Sequence, residues 1–228
     1  DIPEDNIVSL QEENASLVDS LISMHTTNCI ENGYCSFDSY NQVCISPDEG
    51  KNCDGDFVIG AEVLGGIVFY VDSTGQHGLV AAIEDLTEGA TDPYGWGFSG
   101  YQWGCHEFNV NGSDGQSIGF GYQNTLDIVS NNCTTEEGGI TAAQASLDYE
   151  SEGYTDWYLP SEDEFIEMYN TIGIVNSPVN IDDFETSNFY WSSSENSSNS
   201  AICISFVDGS TNNHYKFAAY RVRPIRSF

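Results

Sequence analysis

The chain has 228 residues, enough for one large domain or a small domain with attachments. Five Lys and Arg stand against 36 Asp and Glu, a formal charge of -31, and so lopsided a balance excludes nucleic acid and anionic membrane as partners, since both need clustered cations. With 39% hydrophobic and 13% aromatic residues the chain can still fill a core, so disorder is excluded and the surface is expected to be acidic and rich in Asn, Ser and Gly.

No apolar run reaches 18 residues, so no membrane insertion is expected. Seven cysteines in a Lys-poor chain indicate an oxidising compartment. The start at Asp1-Ile2-Pro3, without a signal-type apolar stretch, reads as a processed secreted product or a piece of something longer. The expected location is secreted, cell-surface or virion-surface.

Residues 3–27 carry a heptad pattern, with Ile7, Leu10, Asn14, Leu17, Leu21 and Met24 at alternating spacings of three and four. Pro3, Glu4 and Asp5 suit a helix N-terminus, where Pro needs no donor and acids meet the positive end of the dipole. Three heptads are too short to stand alone, so a coiled-coil parallel homo-oligomer, a trimer, is expected. The other reading is an amphipathic helix packed on its own domain.

Residues 28–56 hold Cys29, Cys35, Cys44 and Cys53 with Gly and Pro between them. Four cysteines without core residues read as a disulfide-stapled knob, its connectivity open. Zinc is disfavoured, since no C-x2-C pair and no nearby His is present.

Residues 57–228 are globular in texture. Residues 65–72 and 78–82 predict two strands of a hairpin joined by a turn at 73–76. Residues 91–119 predict a long ordered loop, and helices are expected around 121–130 and 140–150. Ser161 and Glu164 form a capping-box signature opening a third helix. Just before it, residues 157–159 predict a short strand. Strands are expected again at 190–193, 201–207 and 220–225, and terminal strands around central helices argue an α+β domain whose ends pair. Cys105 and Cys133 can pair, which leaves Cys203 as a small core thiol.

Five segments now occur in order: Gly65-Gly66-Ile67-Val68-Phe69-Tyr70-Val71, His77 to Ala82, Gly153 to Ser161, Tyr190 to Glu195, and Tyr220 to Arg226. Together they resemble the lectin-like domain that ends bacterial collagen-like adhesins, the Lcl C-terminal domain family, a branch of the C-type lectin-like superfamily. The resemblance spans about residues 57–228 and implies a C-type lectin-like domain acting in adhesion. Adhesins of that family are associated with sulfated glycans, but at -31 a polyanion would be repelled, so a neutral glycan, a surface protein or a calcium-bridged ligand is expected. Related lectin-like proteins are diversified in their C-terminal stretch, and the polar run between Trp191 and Tyr220 is similar in composition.

Glu195, Asn196, Asn199, Asp208, Asn212, Asn213, His214 and Tyr215 are therefore the candidate ligand-binding residues, short or flat polar groups that bind at little entropic cost. Asn109, Asn111 and Asp114 place oxygens on a loop and are the candidate Ca2+ ligands, with weaker fragments at Asp54/Asp56 and Asp182/Asp183/Glu185. No organic cofactor is expected. No G-x-S-x-G, H-E-x-x-H or P-loop is present, and the paired late cysteines of the fold's copper-oxidase relatives are replaced by lone Cys203, so the chain is not expected to be an enzyme. Arg221, Arg223 and Arg226 are expected to hold the acidic body together by ion pairs. The competing function is a structural subunit of an extracellular filament or phage tail fibre whose domains bind each other.

Overall fold

A computed structural model describes residues 4–31, 33, 35–38, 43–45, 48–91, 100–173, 184 and 189–228, with side chains described at all of these except 4–14, 29, 31, 36–38 and 43–45. Helices and strands are mixed, with four α-helices, several sheets and, among the described residues, two disulfides. The chain divides into two compact units, Asp1–Asp56 and Phe57–Phe228.

In the first unit, α1 (Glu4–Glu31) runs 28 residues, four beyond the expected end, and takes Cys29 into the helix. Leu17 is 63% and Met24 59% exposed, and Leu21 between them is also open, so an i, i+4, i+7 apolar stripe faces solvent. β1 (Ser36–Asp38) and β2 (Val43–Ile45) form an antiparallel hairpin in register Phe37↔Cys44. Cys35 pairs with Cys53; the side chains of Cys29 and Cys44 lie outside the described residues.

The second unit opens with β3 (Glu62–Val63), β4 (Gly66–Val71) and β5 (Gly78–Ala81), a meander whose buried Ile, Val, Phe and Leu match the expected hairpin. Its turn is set by Asp72, which accepts from Thr74 N at 2.9 Å and Thr74 Oγ1 at 2.6 Å. Gly78 permits the close approach of strands, since a Cβ there would lie 2.0 Å from the Tyr70 carbonyl oxygen. β6 (Tyr101–Gln102) sits inside the expected long loop and pairs with β10 (Ala219–Tyr220). The aromatics Tyr94, Trp96 and Phe98 of that loop lie outside the described residues.

Three helices follow: α2 (Gly121–Ser130), α3 (Ala142–Asp148) and α4 (Glu162–Met168), each within the segments expected. Thr141 caps α3, and Ser161 with Glu164 closes both bonds of the capping box on α4. A π-helical turn at Tyr169–Gly173 extends α4. Then β7 (Phe189–Glu195), β8 (Ser200–Ser205) and β9 (Thr211–Tyr215) form an antiparallel meander with β8 central.

Two expected strands differ from what forms. Residues 157–159 make only one bridge, Tyr158 to Ile225, because Leu159 N donates to Thr125 Oγ1 of α2 at 3.1 Å instead of to a ladder partner. The three side chains enter three separate apolar clusters: Trp157 joins Val68 and Val80, Tyr158 joins Phe69 and Phe165, and Leu159 joins Trp103 and Trp191. The segment 220–225 is not one strand. It splits into β10 and β11 (Ile225–Ser227) around Pro224, which has no N–H to give a ladder. Between them Arg221 exchanges bonds with β7, donating its N–H to Phe189 O at 3.1 Å and accepting from Trp191 N at 3.0 Å. β11 then pairs with β5, so the two ends of the unit close on each other as expected.

Candidate functional site

β7 reads Phe-Tyr-Trp-Ser-Ser-Ser-Glu, and all three serines are buried. Small hydroxyls let α2 and the 113–116 segment approach a bulged stretch of the strand. Ser192 Oγ donates to Ile202 O at 2.8 Å, Ser194 Oγ to Gly115 O at 2.8 Å, and Asn124 Nδ2 to Gly115 O at 2.6 Å. Trp191 lies beneath, its indole N–H on Tyr101 O at 2.8 Å. This anchoring delivers Glu195 to the end of the strand with its carboxylate turned inward. There it accepts from Val110 N at 2.9 and 3.2 Å and pairs with Lys216 Nζ. Lys216 also donates to Phe108 O at 2.8 Å and lies over the Trp103 ring at 4.6 Å. Burial pushes the Lys216 ammonium down from its ordinary range, and Glu195 pulls it back. Glu195 is thus engaged within the fold, and the remaining candidates are divided by the sheet.

The turn between β7 and β8 carries Asn196 and Asn199, both exposed. It is closed by Asn196 N to Ser200 O at 3.0 Å and Asn196 Nδ2 to Ser200 Oγ at 2.9 Å. Opposite it, Ser200 pairs with Tyr215, so Asn196, Asn199 and Tyr215 share one end of the meander. Asp208 sits in the β8–β9 turn at the other end, roughly 17 Å away along β9. There it accepts from Ser210 Oγ at 2.7 Å and Ser210 N at 3.1 Å, bonds that hold its carboxyl below the usual range. Along β9 the strand period splits the rest: Asn213 and Tyr215 lie exposed on one face, while Asn212 and His214 lie half-buried on the other. His214 meets Tyr220 Oη at 2.5 Å and packs on Phe189 at 4.8 Å, and burial lowers its pKa.

Beside the Asn199–Tyr215 end lies a cleft of about 650 Å³. One wall is the 104–109 loop, the other is 131–136, and Gln102 and Lys216 lie at the base. The walls are stitched by the Cys105–Cys133 disulfide, by Cys105 N donating to Thr134 O at 3.3 Å, and by Glu136 N donating to Gln102 Oε1 at 3.0 Å. Gly104 turns the chain with φ +93°, and a Cβ there would lie 2.6 Å from Thr141 Cγ2. Three of the five non-glycine residues with positive φ among those described, Cys105, Glu107 and Asn132, stand at this cleft, and such conformations persist only where surrounding structure imposes them. The sequence reading found the disulfide but not the cleft, whose parts lie in three distant segments.

The candidate Ca2+ loop borders the cleft. Asn109 lines it, and Asn111 and Asp114 are exposed. The loop's Ser113 and Gly115 carbonyls are taken by Glu195 N at 2.6 Å and by Asn124 and Ser194, so an ion there would depend on the three side chains. Among the described residues no group of three or more His, Cys, Asp or Glu is placed to hold a metal ion. Asp54 and Asp56 turn their N–H groups onto Asn52 Oδ1, and Asp182, Asp183 and Glu185 lie outside the described residues.

The C-terminal cations stay inside the fold. Asp85 receives Arg223 Nε at 2.8 Å, Arg221 at 3.2 Å and the Tyr190 hydroxyl at 2.8 Å, while Arg226 clamps Asp156 at 2.7 and 3.0 Å. Cys203 is free and buried, and burial pushes its thiol up to about 12. No helix among the described residues is long and apolar enough to cross a membrane.

No curated protein matches the chain. Among solved structures a fimbrial protein from Bacteroides ovatus ATCC 8483 is similar at 15% identity and a TM-score of 0.42, over 81% of this chain and 46% of that one. This chain therefore spans under half the length of that structure. A sequence model of the Lcl C-terminal domain matches residues 100–226, more than half of the chain, from β6 through β11. The 57–99 segment precedes that match, yet its hairpin is paired to β11 within it. On this match the chain belongs to the Lcl C-terminal domain family.

Proposed function

We propose that the chain is an extracellular recognition module, an adhesin-like head of C-type lectin-like fold displayed as a homo-oligomer on α1. The observation that carries this reading is the surface where Asn196, Asn199 and Tyr215 meet a cleft with a braced backbone, in a body whose C-terminal cations are each paired to a carboxylate of the chain. Such a surface suits a glycan or a surface protein as ligand, and family membership agrees with a location outside the cell. The exposed stripe of Leu17, Leu21 and Met24 supports self-association through a parallel bundle, which would let weak heads bind together. Ca2+ enters as a bridging ion at Asn109, Asn111 and Asp114. The Cys203 thiol, buried and pushed up to about 12, is not a reactive thiolate.

A second reading, a filament or tail-fibre subunit, is favoured by one feature. β9 ends its sheet, and among the described strands none pairs with its outer edge. Light scattering separates the two, with a closed trimer expected and open-ended polymers supporting the filament. Binding of the intact chain to whole cells, with and without EDTA, tests recognition itself. Absence of adhesion in both conditions together with polymer formation would overturn the proposal.

A further inference from the structure

The cleft beside Cys105–Cys133 is lined by groups that the packing of the fold does not require. Phe108 on one wall is 69% exposed, and Tyr215, next in the chain to the lining Lys216, is 60% exposed. Tyr215 stacks on Phe217 with centroids 5.3 Å apart and planes 7° from parallel. The His106 ring meets these two edge-on at 6.3 and 4.8 Å, and its buried Nδ1 has no partner within the chain. Large aromatics left together in water mark a surface that something covers.

Around them stand neutral amides and hydroxyls, Asn109, Asn132, Thr134 and Thr135, with Glu107 and Glu136 as acceptors. The cleft's cation, Lys216, is buried against Glu195 and Phe108 O. A phosphate, sulfate or carboxylate would find no available counter-charge and would face two carboxylates. A purely apolar ligand would leave the amides unpaired, a cost of about 1–3 kcal/mol for each group. A sugar ring meets both demands: its C–H face covers an aromatic ring, and its hydroxyls each donate and accept. The volume lies within the range of about 300–1,000 Å³ common to small-molecule sites, and the cross-linked walls reduce the ordering cost of binding.

We infer that this cleft is a binding site for a neutral saccharide, with Tyr215 and Phe108 as stacking surfaces and Asn109, Asn132 and Glu136 as hydroxyl partners. The inference rests on the recognition reading above and narrows it to one ligand class at one place.

The test is an array bearing neutral and sulfated glycans, probed with the full chain at about 0.15 and 0.5 M NaCl. Each neutral hit is then titrated by calorimetry as the free oligosaccharide. Binding to neutral glycans is expected, changed less than about twofold by salt, and weakened roughly tenfold or more by Tyr215→Ala or Phe108→Ala. Tyr215→Trp keeps a stacking surface and should retain binding. Tyr122→Ala, an exposed ring on α2 outside the cleft, should leave it unchanged, and thermal melts of all four variants confirm folding. Binding confined to sulfated glycans, or binding abolished by salt as for a basic ligand, overturns the saccharide assignment. Neutral-glycan binding indifferent to both cleft variants places the sugar elsewhere and overturns the site. A silent array with cell adhesion intact overturns the saccharide class while recognition stands; a silent array without adhesion overturns both.

Discussion

Glu195 shows how one side chain ties a strand to two loops. Its carboxylate accepts from Val110 N and pairs with Lys216, just past β9, whose ammonium also holds Phe108 O, so β7, the turn after β9 and the cleft wall meet at one buried charge pair. Removing one partner of such a pair leaves the other uncompensated in low dielectric, which costs about 3–5 kcal/mol. Glu195→Gln is accordingly expected to lower unfolding free energy by that amount in urea titrations. Adding Lys216→Met to it should recover part of the loss, because the stranded charge is then gone. A single variant as stable as the parent would show that the pair is not holding the wall. The polarity of Glu195 was legible in the sequence, but its inward direction was not. The direction depends on the bulge at the serines and on Val110, 85 residues away.

At the scale of elements, α4 was the most legible and also offers a pH test. Its capping box is a matter of residues three apart, so the sequence alone reveals it. What the sequence conceals is that Glu164 Oε1 also accepts Gly119 N at 2.8 Å and that burial pushes the carboxyl up from its ordinary value. A carboxyl raised in the folded state contributes stability fully below the unfolded value, about 4.3, and loses it as pH rises through the folded value. Asp156 acts in the opposite sense: Arg226 holds its carboxyl low, so its contribution is present above the unfolded value and fades in acid. Subtracting the stability profile of Glu164→Gln from that of the parent should isolate the first effect, leaving a difference that is fully present below about pH 4 and declines as pH rises above it. Glu164→Ala should cost about 2–4 kcal/mol at neutral pH, since the N–H groups of Ser161 and Gly119 lose their acceptor. A flat difference profile would contradict the buried-charge account. The segments 157–159 and 220–225 depart from continuous strands for a related reason. Alternation of large residues predicts a ladder, whereas here neighbouring side chains are shared among three clusters and Pro224 interrupts the run.

For the whole molecule the governing quantity is charge. The four cations at the C-terminal end are committed to Glu195, Asp85 and Asp156, and most of the acids whose side chains are described face water with little compensation. Self-repulsion of that kind is relieved within a Debye length of about 10 Å at 0.1 M salt. The midpoint of thermal unfolding should therefore rise by several degrees from low salt to about 0.5 M NaCl in calorimetry. A falling midpoint would mean that screening weakens internal pairs more than it relieves the surface.

Length, charge and local pattern determined by themselves that the chain is folded and acidic, where its helices start, which hairpin opens the second unit and that its cysteines can be cross-linked. These features rest on residues within a few positions of one another, or on totals that no fold alters. Tertiary structure alone decided that Asp85 gathers Arg221, Arg223 and a tyrosine, that Glu195 faces inward and Tyr215 outward, and that two distant loops and Lys216 enclose a cleft. Those outcomes depend on separations of 20 to more than 100 residues being closed by packing, and no local periodicity carries that information.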